Sequence, residues 1–524
     1  MKLLDIEDIE KATKRGRRES FRLGVALIFI VGVMLYAGVA VATSGTGAVL
    51  LVAAAMIGGY MAMNIGANDV ANNVGPAVGA KAITMTGALI IAAICEVAGA
   101  LIAGGDVVST IQGGIIKPDA IADAQTFIWI MLAALLAGAL WLNIATAFGA
   151  PVSTTHSIVG AVLGSGLAAG GLSAANWGVL GNIALSWVIS PLMGGLIAAA
   201  FLYFIKHTIT YREDMSAAAR RVVPWLVGLM AFAFGTYLVL KGLCRVWSIG
   251  FPLACAIGAA CGLLAYCLVR WRINQDSLPV GNDKSSINAL FTVPLIGAAA
   301  LLSFAHGAND VANAVGPLAA ITATVKGAVL DGNAPIPIWV MLVGGLGIAL
   351  GLGLYGPKLI RTVGNEITEL DQMRAFCIAM AAAVTVILAS QLGLPVSSTH
   401  IAVGGVFGVG FLREFLKTNY SRMLEDIRLH HAGTDKEEVD DFLRDFEQAP
   451  ATTKRLMLKQ LKNKRLPHPD LSKQERSDLK RAYKHELVKR SALNRIITAW
   501  VVTVPISGGI AALCFFVVRG MMLP

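Results

Sequence analysis

Residues 64–76 read NIGANDVANNVGP and place one Asp and four Asn within an apolar part of the chain. The segments on either side, GAVLLVAAAMIGGYMAM at 47–63 and ALIIAAICEVAGALIAGG at 88–105, carry one ionisable acid between them, Glu96. A carboxylate at the centre of a membrane helix costs about 2.5–3.5 kcal/mol, and such residues mark functional sites by default. The stretch therefore indicates a working site inside a membrane-embedded helix.

The composition supports a membrane protein. The 524 residues are 56% hydrophobic and 15% charged, whereas soluble proteins carry about 25% charged residues. Segments of about 20 apolar residues are long enough to cross a bilayer as one helix. Such segments include 23–43, 126–148, 222–243, 249–270 and 495–518. We predict an all-α, polytopic integral membrane protein with about 12–13 membrane segments; long alternating strands typical of a β-barrel are not seen.

The net charge of +10 does not indicate a nucleic-acid partner. The Lys and Arg residues cluster beside the apolar segments, as the positive-inside rule requires. Seven of them precede the apolar run at 23–43. That run exceeds the apolar part of a cleaved signal peptide, so we interpret it as a retained helix with a cytoplasmic N-terminus. The protein is expected in the cell (inner) membrane.

The opening motif is duplicated. GANDVANNVGP at 66–76 and GANDVANAVGP at 307–317 agree at 10 of 11 positions. A second pair is GAPVSTTHSIVG at 149–160 and GLPVSSTHIAVG at 393–404, and a weaker third pair starts at Trp187 and Trp500. The pairs occur in the same order, so we predict two homologous transport repeats, 47–205 (the first half) and 288–519 (the second half).

The halves are predicted to have opposite orientations in the membrane. An arm and extra helix, 1–46, precede the first half, and a linker with two helices, 206–287, separates the halves. Basic residues at 206–221 and after the second linker helix place both ends of the linker inside. The second half therefore starts on the side where the first half ends, which is the inverted-repeat arrangement of many secondary transporters.

The second half contains a polar insert. His156 and Trp187 are 31 residues apart, whereas His400 and Trp500 are 100 apart. The additional residues fall in 411–494, which is rich in Lys, Arg and Glu. We interpret this segment as a cytoplasmic helical insert, and the sequence leaves its role open.

Asp69 and Asp310 are the leading candidates for a site. An Asn in a membrane helix is commonly a structural hydrogen-bonding residue, but a duplicated Asn-Asp-x-x-Asn with flanking Gly and Pro is more specific. Gly66, Gly75 and Pro76 predict a broken or re-entrant helix, which is tolerated at membrane depth only where it lines a cavity.

The PVSTTH and PVSSTH segments supply hydrogen-bond donors. Pro151 and Pro395 suit the first turn of a helix, and a helix N-terminus offers free N–H groups and partial positive charge. Hydroxyl groups added there complete an anion site. The hydroxyl residues are Ser153, Thr154, Thr155, Ser397, Ser398 and Thr399.

An anion beside two carboxylates needs accompanying cations, either Na⁺ or protons. The combination therefore predicts a cation-coupled anion symporter. A channel would need a continuous polar pore, whereas the sequence has localised polar clusters. An intramembrane enzyme is disfavoured because the Asp residues are duplicated and no HExxH-type metal motif is present.

The duplicated GANDVAN and PVS[ST]TH motifs resemble those of the inorganic phosphate transporter (PiT) family, over roughly 47–410 and 495–519. The resemblance implies import of inorganic phosphate across the lipid bilayer by symport with Na⁺ or H⁺, without a resident cofactor or metal; in bacterial members the anion can travel as a metal-phosphate. It assigns the six hydroxyl residues with Asn72 and Asn313 to phosphate, and Asn68, Asp69, Asn309 and Asp310 to the coupling cation.

Several questions stay open from the sequence. Family members include sulfate permeases, so sulfate is the alternative substrate. The choice between Na⁺ and H⁺ and the formation of a homodimer are also open. Three His and one Glu are candidates for proton transfer or for auxiliary roles in the site, namely His156, His306, His400 and Glu96; a structural hydrogen bond is the competing interpretation for each.

Overall fold

The computed structural model describes residues 3–40, 46–147, 152–242, 249–275, 281–327, 335–366, 370–430, 439, 441–445 and 491–522. Within these ranges the regular structure is helical, apart from one isolated bridge between Ile116 and Ala175. The all-α prediction is confirmed. Pro151 and most of the predicted insert lie outside the described residues.

Twelve helical stretches of the described chain are long and apolar enough to cross a membrane. Many large apolar side chains on them are exposed, among them Leu196, Leu263 and Phe516. Apolar surface of this extent marks a lipid or protein contact, and here it lies on helices of membrane-spanning length. The prediction of a multi-pass membrane protein is confirmed.

The first half follows the N-terminal helix α1 and contains seven helices. Short π and 3-10 turns follow α5, α7 and α8. The bounds are α1, Leu3–Ala40; α2, Thr46–Asn68; α3, Val70–Gly79; α4, Met85–Ala103; α5, Gly105–Ser109; α6, Ala124–Ala147; α7, Thr154–Gly170; and α8, Trp177–Ile205.

The linker and the second half supply the other helices. The linker helices α9 and α10 pack on each other through small residues, with Gly228 against the backbone of Gly262. The bounds are α9, Met215–Lys241; α10, Phe251–Ile273; α11, Lys284–Leu290; α12, Thr292–Asp310; α13, Ala312–Val325; α14, Ile338–Glu366; α15, Gln372–Gln391; α16, Ser398–His430; and α17, Ser491–Met522.

Close helix crossings bring the two motif-bearing helices against the opposite half. Gly66 on α2 abuts the backbone of Ile348 on α14, and Gly307 on α12 abuts the backbone of Glu96 on α4. A Cβ atom at either glycine would overlap main-chain atoms. Small residues permit such approach between membrane helices, and Gly66 and Gly307 occupy the same position in the two copies of the motif.

The helices that begin in the second motif also pack through glycine. Gly160 on α7 approaches the backbone of Val504 on α17, and Gly404 on α16 approaches the backbone of Pro191 on α8. Gly160 corresponds to Gly404, and Val504 to Pro191, so matched segments of the two halves make matched contacts. The opposite orientation of the halves in the membrane stays a prediction.

Contacts divide the chain into two compact units. The first comprises residues 1–406 with 490–524, and the second comprises 407–489. The residues of both duplicated motifs belong to the first unit. Most of the predicted insert falls in the second unit, of which the C-terminal part of α16 and the helical residues 441–445 are described.

Candidate functional site

Each GANDVAN motif lies where one helix gives way to the next. The interruption is a single residue, Asp69 between α2 and α3 and Val311 between α12 and α13. Asp69 keeps near-helical angles, with φ −88° and ψ −34°. The expected break is therefore a local interruption of one residue in each half, and re-entry into the membrane stays a prediction.

A proline inside each short helix changes the main-chain hydrogen bonding. Pro76 lies within α3 and Pro317 within α13. Because proline has no N–H group, it cannot bond to the carbonyl four residues earlier. The carbonyl oxygens of Asn72 and Asn313 therefore lack that helical partner, one beside each copy of the Asn-Asp motif.

The hydroxyl segments form capped helix N-termini. Ser153 Oγ accepts from His156 N at 3.2 Å, and Ser397 Oγ accepts from His400 N at 3.3 Å. Serine is a preferred N-cap residue, whose oxygen satisfies a free N–H group. The prediction that Pro395 lies in the first turn is wrong, because capping by Ser397 starts α16 at Ser398.

Asp69 is buried among hydroxyl groups from both halves. Thr154 Oγ1 donates to Asp69 Oδ2 at 2.6 Å, and Thr399 Oγ1 donates to Oδ1 at 3.3 Å. Thr154 comes from α7 and Thr399 from α16. The carboxylate therefore lies between the N-termini of the two capped helices, which carry partial positive charge.

Asp310 occupies the corresponding place in the second half. Its Oδ2 lies 3.3 Å from Ser398 Oγ and 3.5 Å from Thr154 Oγ1. His306 Nε2 is 3.0 Å from the same oxygen, while Oδ1 has no hydrogen-bond partner among the described residues. Thr154 Oγ1 thus lies next to both carboxylates, and Oδ1 of Asp310 is buried without a described hydrogen-bond partner.

The amides of the motifs reach across to the opposite half. Asn72 Nδ2 donates to Thr399 Oγ1 at 2.8 Å, and Asn313 Nδ2 donates to Thr155 Oγ1 and Thr154 Oγ1, each at 3.2 Å. Asn313 Oδ1 is buried without a described partner. The predicted phosphate residues Asn72 and Asn313 therefore join the predicted hydroxyl residues in one cluster.

Asn68 and Asn309 make a different set of contacts. Asn68 Nδ2 donates to Thr146 Oγ1 at 3.2 Å, and Asn309 Nδ2 donates to Ser390 Oγ at 2.9 Å. The amide oxygen of Asn309 accepts from Val396 N at 3.2 Å. Their role as cation ligands stays a prediction, and these contacts favour a structural role that fixes the approach to the hydroxyl segments.

His156 and His400 face each other behind the hydroxyl cluster. Their ring centroids are 4.5 Å apart, and each ring packs on the Trp of the third sequence pair, His156 on Trp187 at 3.7 Å and His400 on Trp500 at 3.6 Å. Neither nitrogen of His400 has a hydrogen-bond partner among the described residues. The contacts are those of aromatic packing between the halves, and the predicted auxiliary role is untested.

His306 and Glu96 lie beside the carboxylate cluster. His306 Nδ1 is 2.7 Å from Glu96 Oε2, and Asn73 Nδ2 donates to Glu96 Oε1 at 2.9 Å. Ligand atoms of Asp69, His306 and Asp310 lie within 4.8 Å of one another, a spacing suited to a cation. The two auxiliary candidates are therefore brought to the site.

Asn73, Thr146 and Ser390 were missed by the sequence analysis. Thr146 and Ser390 each precede the hydroxyl pair at an equal distance, eight residues before Thr154 and Ser398. Extending the comparison of the two PVS[ST]TH segments by a few residues towards the N-terminus would have identified Thr146 and Ser390. Asn73 stands inside the first motif, where the second copy has Ala, and nothing in its position revealed its contact with Glu96.

The chain is similar to known phosphate transporters and permeases. The sequence model described as "Phosphate transporter family" matches residues 65–511. A "Putative phosphate permease" of Helicobacter pylori (strain J99) is 54% identical over 528 residues, covering 98% of each chain. A permease of the same description from Thermococcus kodakarensis is 40% identical over 361 residues, covering 68% of this chain and 87% of its own.

A solved structure has the same fold. It is described as "The sodium-dependent phosphate transporter", is 31% identical, and superposes with a TM-score of 0.72 over 91% of this chain and 100% of its own. The family is one of transporters and not of enzymes. With both duplicated motifs inside the matched region, the chain belongs to the phosphate transporter family.

Proposed function

We propose that the protein imports inorganic phosphate across the cytoplasmic membrane by symport with Na⁺. The observation that carries the proposal is the position of the Thr154 hydroxyl, which donates to Asp69 Oδ2 at 2.6 Å and lies 3.5 Å from Asp310 Oδ2. The two carboxylates thereby share one buried cluster with donors from both halves. Donors for an anion and ligands for cations stand side by side, as symport requires.

Phosphate binds at the two capped helix N-termini. The hydroxyls of Thr154, Ser398 and Thr399 and the free N–H groups of α7 and α16 are the donors. No Lys or Arg is among the described contacts of Asp69 or Asp310. The site therefore attracts an anion with partial charges, and its full negative charges come from the two aspartates.

Those negative charges make anion binding dependent on cations. Two carboxylates beside phosphate repel it strongly in a low-dielectric surrounding. Na⁺ relieves the repulsion when it binds the aspartate oxygens, the carbonyl oxygens of Asn72 and Asn313, and the C-terminal ends of α2 and α12, which carry partial negative charge. Binding of either ion then strengthens binding of the other, and this mutual dependence is the coupling.

The choice of Na⁺ over protons as the coupling ion is supported by the structural relative, which is named as sodium-dependent.

The basic N-terminal arm and the basic 411–494 insert are expected in the cytoplasm because positively charged segments stay on that side of the membrane. Transport then proceeds by opening the shared cluster alternately to each side, with the halves moving about the site.

The test is uptake of labelled phosphate into proteoliposomes that contain the purified full-length chain. An inward Na⁺ gradient should drive accumulation, and its replacement by an equal K⁺ gradient should abolish it. A proton gradient applied without Na⁺ separates the two couplings. Accumulation driven by protons alone, at a rate equal to that with Na⁺, would contradict Na⁺ symport.

A further inference from the structure

The chain between α15 and α16 passes from the surface to the site within four residues. Leu392, at the end of α15, is 73% exposed, whereas Ser397, the cap of α16, is 3% exposed. We call residues 393–396, which join them, the connecting turn. Its first two residues are half-buried and its last two are buried. The connecting turn therefore lies between the surface and the hydroxyl residues that begin α16.

The connecting turn is held by side chains from other parts of the fold. Each of its four carbonyl oxygens accepts one hydrogen bond from such a side chain. The donors are Thr110 to Gly393 at 2.7 Å, Asn309 to Leu394 at 3.1 Å, Trp187 to Pro395 at 3.1 Å, and Thr155 to Val396 at 2.9 Å. Three of the four donors belong to the first half, so the position of the connecting turn depends on how the two halves are packed.

The outer end of the connecting turn lies beside a charged pair. A Cβ atom at Gly393 would lie 3.6 Å from the carbonyl oxygen of Asp106, one helical turn before Thr110. The side chain of Asp106 is 48% exposed and pairs with Lys241, at the end of the linker helix α9. Charged side chains within a membrane protein face the interior of the bundle or water. The end of the turn at Gly393 is therefore next to a water-accessible mouth.

The connecting turn has the means to move. Gly393 has a φ of +66°, in the left-handed region that glycine enters and leaves without steric cost. The donors on the turn are neutral side chains, and hydrogen bonds of this kind contribute little each. Water at the mouth can replace the Thr110 hydroxyl once the turn shifts. The closed position is thus held by several weak bonds that can be exchanged one by one.

We propose that the connecting turn is a gate on the water-facing side of the anion site, and that Thr110 and Trp187 are positioning residues that hold it shut. The inference rests on the proposed phosphate site at the N-terminus of α16. Opening breaks the bonds to Gly393 and Pro395 and exposes the site to the mouth. Because Ser398 follows the turn by two residues, opening also loosens the hydroxyl cluster, so access and release of the anion are one movement.

The experiment measures the reaction of a thiol placed in the gate with a water-soluble maleimide, in the purified full-length chain. Val396→Cys places the thiol at a buried position of the turn, and Leu392→Cys places one at the exposed position before it. Mass spectrometry reads the modification at the introduced residue. Each is combined with Thr110→Val, which keeps the shape and removes the donor, or with Trp187→Phe, which keeps a ring and removes the N–H group.

Without Na⁺ and phosphate, both donor variants should speed the reaction of the thiol in the turn by about fivefold. The loss of one hydrogen bond that holds the closed state shifts the population towards the open one. The thiol that replaces Leu392 should react at the same rate in every background. Thr385→Val is the matched control on α15, because the Thr385 hydroxyl bonds to its own helix at Ala381; it should leave both rates unchanged.

Folding of every variant is checked by gel filtration and thermal unfolding. If Val396→Cys does not fold, Leu394→Cys carries the test from the half-buried part of the turn. Equal reaction rates with and without the Thr110 hydroxyl overturn the inference, and so does a rise that Thr385→Val reproduces. A parent chain that takes up no phosphate overturns the proposed function, whereas the comparison of reaction rates still decides whether the turn is a gate.

Discussion

Asn72 donates a 2.8 Å hydrogen bond to Thr399, although 327 residues separate them. Asn313 returns the corresponding contact to Thr155 at 3.2 Å. Each half of the chain therefore completes the hydroxyl cluster of the other. A site built in this way exists only while the halves are packed together, so any movement between them changes the site directly.

The first prediction concerns the aspartates. Asp69→Asn and Asp310→Asn keep the side-chain shape and remove the charge that Na⁺ requires, so each should reduce Na⁺-driven phosphate uptake by at least about 100-fold. Purified protein should still be obtained, with an unchanged elution volume. Asp119→Asn, at an exposed position, is the control. Near-normal uptake in either site variant would remove that carboxylate from the coupling.

The second prediction concerns the hydroxyl donors. Thr154→Ala combined with Ser398→Ala removes one hydroxyl that lies beside both carboxylates and one that lies beside Asp310. Hydrogen bonds to charged groups contribute about 1.5–3 kcal/mol, so the half-saturating phosphate concentration should rise at least tenfold. Ser165→Ala is the matched control on α7, because that hydroxyl bonds to its own helix at Ala161. Equal affinities in the two variants would argue against a phosphate site at these hydroxyls.

The third prediction concerns helix packing. A Cβ atom at Gly351 on α14 would overlap the backbone of Met63 on α2, whereas a Cβ atom at Gly353 meets nothing within 4 Å. Overpacking costs about 1–3 kcal/mol, and main-chain atoms have little room to yield. Gly351→Ala should lower the unfolding temperature in detergent and the uptake rate, and Gly353→Ala should match the parent. Identical unfolding of all three proteins would contradict the close crossing of α2 and α14.

Much of the fold followed from the sequence because membrane helices are fixed by length and apolar character. A stretch such as 126–148 has no alternative to a spanning helix, and α6 covers Ala124–Ala147. The duplicated motif also pointed to Asp69 and Asp310 as neighbours, since matched segments in two halves meet at the interface between them.

The hydrogen-bond partners of the side chains in the site could not be predicted from the sequence. Glu96 and His306 are 210 residues apart, and their contact depends on the close crossing of α4 and α12. The first turn of α16 was misplaced because capping by Ser397 outweighed the preference of Pro395 for a helix start. Asn309 stays a predicted cation ligand, and the motif did not reveal that its amide oxygen accepts from Val396 N.

The fourth prediction concerns the insert. All residues of the proposed site lie in the unit formed by 1–406 and 490–524, and the first half has a short connection at the corresponding place. Replacing 418–488 by a short flexible bridge should leave Na⁺-driven phosphate uptake within about twofold of the parent. A shortened chain that is folded but inactive would make the insert part of the transport machinery.

The choice of anion is the central claim of the proposed function. Phosphate near neutral pH keeps at least one P–OH group, whereas sulfate has none, and the buried oxygen Asn313 Oδ1, which has no described hydrogen-bond partner, can accept that hydrogen. Sulfate would leave this oxygen facing its own lone pairs, and unpaired buried polar groups give large discrimination.

The most direct measurement is Na⁺-driven uptake of labelled phosphate in the presence of a large excess of sulfate or of the same excess of arsenate, which keeps an As–OH group. The account predicts that arsenate suppresses uptake almost completely and that sulfate barely reduces it. Equal suppression by the two anions would contradict the phosphate assignment and favour a sulfate permease of the same fold.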